Sequence, residues 1–414
     1  MRSSDDQVIS VVILGSTGSI GTQALEVIRK HPQKFNVVGL AAAGSDPERL
    51  NRQIKEFSPE LVAVAKNHDE FTDRETLQLL RSSADLVGAE LSFGPDSVSE
   101  LAGTFRGATV LNGINGGVGL APTLAALEAG STLALANKES LVVGAPVVKK
   151  AVQRPGQIIP VDSEHSAIAQ ALMAGRHNRG LTSKNLDGES DLYSLVLTAS
   201  GGPFRGMTRG ELRDVTAQQA LAHPTWSMGP VVTVNSSTLM NKGLEIIEAS
   251  VLFDVPPSRI TPVVHPQSIV HSMVTWNDGS TIAQAAYPNM RVPIALGLDW
   301  PNHLESVGAP LNWISPTEWT FEPVNEQTFP AVTLAQACLE MSQTHPAVMN
   351  ASNEVCVDRF LAGGLSWLCI VDTVSQVVEE HDGVSAPSLD DIMEAQRWAV
   401  ERTEQLISEG QSSQ

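Results

Sequence analysis

From residue 8 to about residue 160, short apolar, β-branched runs alternate with stretches whose apolar positions recur every three to four residues. The runs at 8–14, 36–40 and 61–65 read as strands, and the stretches near 22–30 and 47–57 as helices. Similar runs at 109–111, 132–134 and 158–161 continue the alternation. This βαβ grammar predicts a parallel sheet with helices on both faces. After residue 163 the pattern changes to a helix near 167–174, a polar stretch at 176–191, and a strand at 192–197. The polar stretch is rich in Asn, Ser, Gly and Asp and reads as a disordered or mobile surface loop. Residues 201–230 have scattered Gly and Pro and little periodicity, which reads as a long functional loop, followed by a helix at about 239–252. Runs at 268–275 and 280–285 flank Asn277-Asp278-Gly279, a strong hairpin signal. A Pro/Trp-rich connection at about 300–323 precedes helices near 330–342, 347–362, 370–380 and 389–408. No internal repeat is present.

The expected fold class is therefore α/β. An N-terminal Rossmann-like, doubly wound domain covers 1–162. A central α+β domain covers 163–300, including the flexible loop 200–230, and a linker at 301–325 leads to a C-terminal helical domain at 326–414.

Composition narrows the function classes. Hydrophobic residues make up 42% and charged residues 18% of the 414, a balance that folds. The formal charge of -19 sets up a mean field that repels phosphodiester backbones and anionic lipid, so no nucleic-acid or membrane partner is expected. An anionic substrate would need a local basic pocket. Cys338, Cys356 and Cys369 are too few and too odd in number for a disulfide framework. Residues 1–7 are short and polar, and no apolar run reaches the roughly 18 residues of a membrane span. The expectation is a cytoplasmic protein.

Candidate chemistry begins where the first strand ends, in Gly15-Ser16-Thr17-Gly18-Ser19-Ile20-Gly21, which opens directly into a helix. Small residues there let a backbone approach a pyrophosphate while the helix N-terminus offers unpaired N–H groups. A plain βα turn needs one glycine, not three. The second strand ends in Ala41-Ala42-Ala43-Gly44-Ser45, without the acid that would hold a ribose 2′-hydroxyl, so the turn leans toward NADP. In Val161-Asp162-Ser163-Glu164-His165, an extended backbone would put Asp162 and Glu164 on one side, where their hard oxygens suit Mg²⁺ or Mn²⁺. The bland alternative is an N-cap acid before a helix. Asn241, Lys242 and Glu245 share one helix face at spacings of three and four, as phosphate and metal holders or as an ordinary solvated face. Lys138, His165, His223 and His271 are each more often structural when taken singly. The Ser200-Gly201-Gly202 turn and Ser236 could cradle a phosphate.

Seven segments together, GSTGSIG at 15–21, LANKESLV at 135–142, PVDSEHSAI at 160–168, LTASGGPF at 197–204, HPTWSMGP at 223–230, MNKGLEIIEA at 240–249 and HPQSIVHSMV at 265–274, closely resemble the 1-deoxy-D-xylulose 5-phosphate reductoisomerase family. The resemblance implies a metal-assisted rearrangement of a phosphorylated ketose followed by hydride transfer from NADPH. By the family pattern Asp162, Glu164 and Glu245 hold the divalent ion, Mg²⁺ or Mn²⁺ with Co²⁺ also admissible. Lys138 and Ser163 contact the substrate, with His165 and His271 nearby. Ser200, His223, Ser236, Asn241 and Lys242 hold its phosphate, and Trp226 and Met228 belong to a loop that covers it. Gly15, Thr17, Gly18, Ser19 and Ile20 form the pyrophosphate turn, and Asn137, Glu139 and Gly229 lie toward the nicotinamide. Gly44-Ser45-Asp46 stands where some members carry Gly-Lys-Asn, which implies that the 2′-phosphate meets an acid in place of a cation. A homodimer is a further implication. Rival readings are a simple NADP-linked dehydrogenase, whose phosphorylating form needs a cysteine nucleophile, and a non-catalytic dinucleotide sensor.

Overall fold

The computed structural model describes residues 8–71, 74–226 and 228–412. Two compact units divide the chain. The first comprises the described residues of Met1–Asn137 together with Ala151–Ser166 and Asn289–Ala309. Its strands are β1 (Ile9–Leu14), β2 (Phe35–Ala42), β3 (Leu61–Val64), β4 (Glu90–Phe93), β5 (Thr109–Asn112), β6 (Thr132–Leu135) and β7 (Ile158–Pro160). They form one parallel sheet in the order β4-β3-β2-β1-β5-β6-β7, with Val11 of β1 opposite Val37 on one side and Thr109 on the other. The intervening helices are α1 (Ser19–Lys30), α2 (Pro47–Phe57), α3 (Arg74–Val87), α4 (Ser97–Thr104) and α5 (Leu120–Glu128). Continuous apolar runs such as Val11–Leu14 are wholly buried, as a sheet covered on both faces requires.

Two helices straddle the division. α6 (Glu139–Ala151) belongs to the second unit up to Lys150, and α7 (Ser163–Leu172) starts in the first unit and continues in the second from Ala167. The second unit carries a mixed five-stranded sheet and most of the remaining helices. Its strands are β8 (Leu192–Ala199), β9 (Ile260–Val264), β10 (Val270–Trp276), β11 (Thr281–Ala285) and β12 (Glu322–Pro323), in the order β11-β10-β8-β9-β12. β8 and β9 run parallel and β10 is antiparallel to both β8 and β11. The Asp-Gly hairpin forms as expected: Gly279 takes φ +86° and the Asp278 carboxylate accepts from the Ser280 N–H at 2.9 Å. The helices are α8 (Ala217–Ala220), α9 (Pro230–Ser237), α10 (Met240–Phe253), α12 (Ala331–Met341), α13 (His345–Leu361), α14 (Trp367–Glu379) and α15 (Leu389–Ser412). α10 and α12 cross closely because Gly243 has no side chain; a Cβ there would stand 2.9 Å from the Ala331 carbonyl oxygen.

Three expectations need correction. Residues 289–309 return to the first unit, so the chain does not divide at 300. In that returning segment α11 (Arg291–Leu298) buries Ile294, Ala295 and Leu298 in the first unit's core. Gly297 makes this possible, since a Cβ would come 2.6 Å from Val161. The 176–191 stretch is an ordered excursion, not a disordered loop. Arg176 pairs with Asp191 at 3.0 Å and with Glu189, Asn178 donates to Asp187 at 2.9 Å, and His177 bridges to Ser190. Its polar residues bond to one another in place of a core. Finally, residues 162–164 are not extended, because α7 already begins at Ser163.

Candidate active site

The sheet reverses its build direction between β1 and β5, and the three-glycine turn sits at the carboxyl end of β1, where open α/β sheets bind ligands. All three glycines are required. Gly15 has φ +78°, and a Cβ on it would meet the Gly113 carbonyl oxygen at 2.8 Å; one on Gly21 would stand 2.4 Å from the Gly15 carbonyl oxygen. A Cβ on Gly18 would press the same oxygen at 3.2 Å. No side chain caps α1 at Gly18, so the helix presents its first N–H groups, with Gly18 and Ser19 exposed and Thr17 and Ile20 half-buried. Asn137 is buried and braces the neighbouring loop, donating to the carbonyls of Ile114 (2.8 Å) and Gly116 (2.9 Å).

At the end of β2, Gly44 turns with φ +98°. Asp46 does not stand there as a bare charge. It caps α2, accepting from the Arg49 N–H at 2.9 Å, and its other oxygen pairs with the Arg49 guanidinium at 3.1 Å. Arg49 also donates to the Thr17 carbonyl at 2.9 Å, which ties this turn to the glycine turn. Lys66 flanks Gly44 from the next strand: a Cβ on Gly44 would lie 3.0 Å from the Lys66 Cβ. Sequence order hid this second cation, because Lys66 lies about twenty residues away at the end of the adjacent strand.

The Asp162 carbonyl accepts from the Ser166 N–H at 2.8 Å, the first bond of α7, and Asp162 Oδ1 accepts from the Ser163 N–H at 3.0 Å. Asp162 therefore occupies the N-cap position, and Glu164 lies in the first helical turn. Ser163 Oγ donates to Glu164 Oε2. His165 is fully buried, with Nδ1 3.8 Å from Asp162 Oδ2. Two carboxylates with hard oxygens, one at the N-cap and one in the first turn of α7, are a donor set that fits Mg²⁺ or Mn²⁺ rather than a soft metal.

On α10 the expected shared face is real, but it is not a solvated one. Glu245 is 1% exposed and Lys242 3%. The Glu245 carboxylate accepts from Asn241 Nδ2, from Lys242 Nζ, and from Lys138 Nζ at 3.3 Å, and Lys138 also donates to Asn241 Oδ1 at 3.0 Å. Two ammoniums, Lys138 and Lys242, thus face this carboxylate and bring positive charge to the α10 face. Lys138, immediately before α6, is buried too and is no surface cap; Glu139 opens the helix half-buried.

Around the Gly201-Gly202 turn, His223 Nδ1 accepts from the N–H groups of Thr225 (3.1 Å) and Trp226 (2.9 Å). The neutral ring must then carry its hydrogen on Nε2, which donates to Ser200 Oγ at 3.0 Å. Burial holds the His223 pKa below its ordinary value near 6.5, which keeps this tautomer in place. Ser200 Oγ also accepts from the Gly202 N–H at 3.2 Å, so its own O–H is left to donate elsewhere. Gly202, at φ +66°, lies against the Ser236 peptide, where a Cβ would come 2.6 Å from the carbonyl oxygen. Ser236 is buried on α9. Two bonds from the C-terminal helices hold α9: Asn353 Nδ2 to Asn235 Oδ1 (2.9 Å) and Trp367 Nε1 to Ser237 Oγ (2.9 Å). Trp226 lies over His271 of β10 with ring centroids 6.2 Å apart. Met228 is half-buried, and Gly229 precedes α9 in open space.

Burial pushes the thiols of Cys338 and Cys356 up to about 12, so neither is a nucleophile.

A doubly wound parallel sheet with a fully constrained glycine turn, and a second unit carrying buried lysines against a carboxylate, define a dinucleotide-dependent oxidoreductase that acts on an anionic substrate. Three family models match the chain: 1-deoxy-D-xylulose 5-phosphate reductoisomerase at residues 11–145, its C-terminal domain at 158–253, and the DXP reductoisomerase C-terminal domain at 286–402. The chain belongs to the 1-deoxy-D-xylulose 5-phosphate reductoisomerase family. It is 55% identical to the enzyme of that name from Beutenbergia cavernae, over 97% of this chain and 98% of the relative, and 49% identical to the one from Streptomyces coelicolor, over 96% and 93%. Among solved structures, the Zymomonas mobilis reductoisomerase in complex with NADPH matches with a TM-score of 0.85 at 34% identity, covering 97% of this chain and 99% of that one. A DOX-P reductoisomerase in complex with NADPH, fosmidomycin and magnesium matches with a TM-score of 0.85 at 31% identity, over 97% and 98%.

Proposed function

We infer that the chain catalyses the NADPH- and divalent-metal-dependent rearrangement and reduction of 1-deoxy-D-xylulose 5-phosphate to 2-C-methyl-D-erythritol 4-phosphate, a step of isoprenoid precursor synthesis. The observation that carries this reading furthest is the buried α10 cluster, in which Lys138, Asn241 and Lys242 converge on Glu245. It puts anion-holding and ion-holding groups on one helix face, as a phosphorylated, metal-bound substrate demands.

In this reading Asp162, Glu164 and Glu245 are the metal ligands, and the bound ion polarises the substrate carbonyl as a Lewis acid. NADPH supplies the hydride. The rest falls to the chain's own side chains. Ser200, fixed by His223 and Gly202, turns its O–H toward the phosphate; Ser236, Asn241 and Lys242 add a hydroxyl, an amide and a charge. Lys138 and Ser163 orient the sugar backbone, and the Trp226 indole covers it and excludes water. His165 and His271 buttress the site as buried rings. Gly15, Thr17, Gly18, Ser19 and Ile20 bind the pyrophosphate; Asn137, Glu139 and Gly229 serve the nicotinamide end. Arg49 and Lys66 stand at the Gly44-Ser45-Asp46 turn and supply the 2′-phosphate with the cation that residue 45 lacks, while Arg49 neutralises Asp46.

The remaining expectations of a cytoplasmic location and a symmetric homodimer are part of the same reading. Among the described residues no helix is long and apolar enough to cross a membrane. Support for a dimer comes from Tyr193, 62% exposed although it lies on the central strand β8. Light scattering should read twice the 44.1 kDa chain mass; a monomer at micromolar concentration would remove the dimer.

The test of the activity is product identity. Incubation with 1-deoxy-D-xylulose 5-phosphate, Mg²⁺ and either NADPH or NADH should yield the branched polyol phosphate by ¹³C NMR, faster with NADPH. Recovery of unrearranged substrate, or of a simple alcohol from direct ketone reduction, would reject the reading.

A further inference from the structure

The second unit contains a cavity of about 470 Å³ that none of the groups assigned above lines. It falls within the range of small-molecule sites, roughly 300–1,000 Å³. Its wall comes from α6 (Leu141, Val142, Ala145, Pro146), the C-terminal half of α10 (Ile247, Val251) and the start of α13. Leu141, Val142, Ile247 and Val251 are buried and apolar, and Ser250, Ser342 and Gln343 add polar groups to the wall. Lys149 and Arg179, both exposed, bring two cations to the cavity, and Asp254 brings one carboxylate, which leaves it net positive by one charge in a chain of net charge -19. Arg179 is positioned, since its Nε donates to the Gly188 carbonyl at 2.6 Å. Asp254 is held in the left-handed region at φ 52° as the residue that ends α10.

We propose that this cavity binds a small amphipathic anion, an organic carboxylate, sulfonate or phosphate monoester with an aliphatic or aromatic body. The apolar wall takes the body, and the Lys149 and Arg179 heads take the charge. Charge complementarity selects against cations, and the apolar wall selects against free phosphate, which would leave it wet. α6 lines this cavity from Leu141 to Lys149 and follows directly on Lys138, while α10 lines it with its C-terminal half and carries Asn241, Lys242 and Glu245 in its N-terminal half. α6 is kinked within this lining stretch, at Gly144 (φ −117°, ψ 18°), with Leu141 and Val142 before the kink and Ala145 and Pro146 after it in the cavity wall. An occupant therefore rests on the hinge of the helix that follows Lys138.

The probe is 8-anilinonaphthalene-1-sulfonate, titrated by fluorescence into the full-length protein, with octyl phosphate and inorganic phosphate as competitors. One saturable site is expected, displaced by octyl phosphate and untouched by inorganic phosphate. Lys149→Gln/Arg179→Gln should weaken it about tenfold, and Ala145→Phe, which fills the cavity, should abolish it, each with an unchanged circular dichroism spectrum. The double substitution changes only exposed side chains and keeps the test valid should the Phe variant misfold. Absence of a saturable site, or a site of unchanged affinity in both folded variants, overturns the proposal. Neither result depends on the reductoisomerase reading.

Discussion

Glu164 and Glu245 are both carboxylates assigned to one ion, yet their surroundings demand different consequences when they are changed. Glu164 is half-buried in the first turn of α7. Glu164→Gln preserves shape and should lower kcat/KM by at least about 100-fold, since a Lewis-acid site contributes several kcal/mol, while thermal unfolding shifts by under about 3 °C. Glu245 is buried against the equally buried Lys242. Glu245→Ala removes a buried carboxylate that the Lys242 and Lys138 ammoniums both face and should cost about 3–5 kcal/mol of stability in denaturant melts as well as activity. Equal stability losses in the two variants would contradict the assignment of their environments. His223 carries a pH prediction. Because burial lowers its pKa in the folded state, the folded protein binds that proton less tightly than the unfolded chain. The contribution of the neutral ring is thus complete above pH 6.5 and is lost as pH falls below it through the folded value. Histidine ¹³C–¹H spectra should titrate His223 below 6.5, and the Thr225 and Trp226 amide resonances should move with the same midpoint; amides that stay still through that titration would remove the ring from loop positioning.

At the scale of elements, the end of α9 that carries Ser236 is braced by helices more than a hundred residues further along the chain. Trp367→Phe removes the Nε1–H bond to Ser237 while keeping an aromatic ring against Phe204 and Phe329. The expected cost is about 1 kcal/mol of stability and a several-fold higher KM for the phosphorylated substrate, with the KM for NADPH unchanged. A lower melting temperature with both KM values unchanged would make Trp367 purely structural. This scale also separates what the sequence discloses from what it conceals. The glycine turn, the Asp-Gly hairpin and the Asn241-Lys242-Glu245 face are local: each follows from a period or from a backbone conformation encoded within a few residues. The Ser200–His223 bond, the bracing of α9 by Asn353 and Trp367, the return of α11 to the first unit, and Lys66 beside Gly44 depend on long-range packing with no local periodic signature. The extended reading of 162–164 failed because Asp162 serves as a cap, so Ser163 and Glu164 begin a helix that the apolar pattern shows only from Ala167 onward.

For the whole molecule, the net charge of -19 repels both a phosphorylated ketose and NADPH from most of the surface. Against that field stand local cations, Arg49 and Lys66 at the second turn of the nucleotide fold and Lys138 and Lys242 within the second unit, which the proposed reading assigns to the two anions. This division of charge fits an enzyme that brings a dinucleotide and a phosphorylated substrate to separately built sites. It does not fit a sensor, which needs only the first. The central claim is joint dependence on NADPH, a divalent ion and the ketose phosphate. The most direct measurement is the absorbance of reduced nicotinamide in purified protein given NADPH, Mg²⁺ and 1-deoxy-D-xylulose 5-phosphate, with and without excess EDTA. The account predicts NADPH oxidation that stops with EDTA and resumes when Mg²⁺ or Mn²⁺ is restored. Folded protein that binds NADPH but leaves it unoxidised in the presence of metal and ketose phosphate, or oxidises it equally in EDTA, would contradict the account.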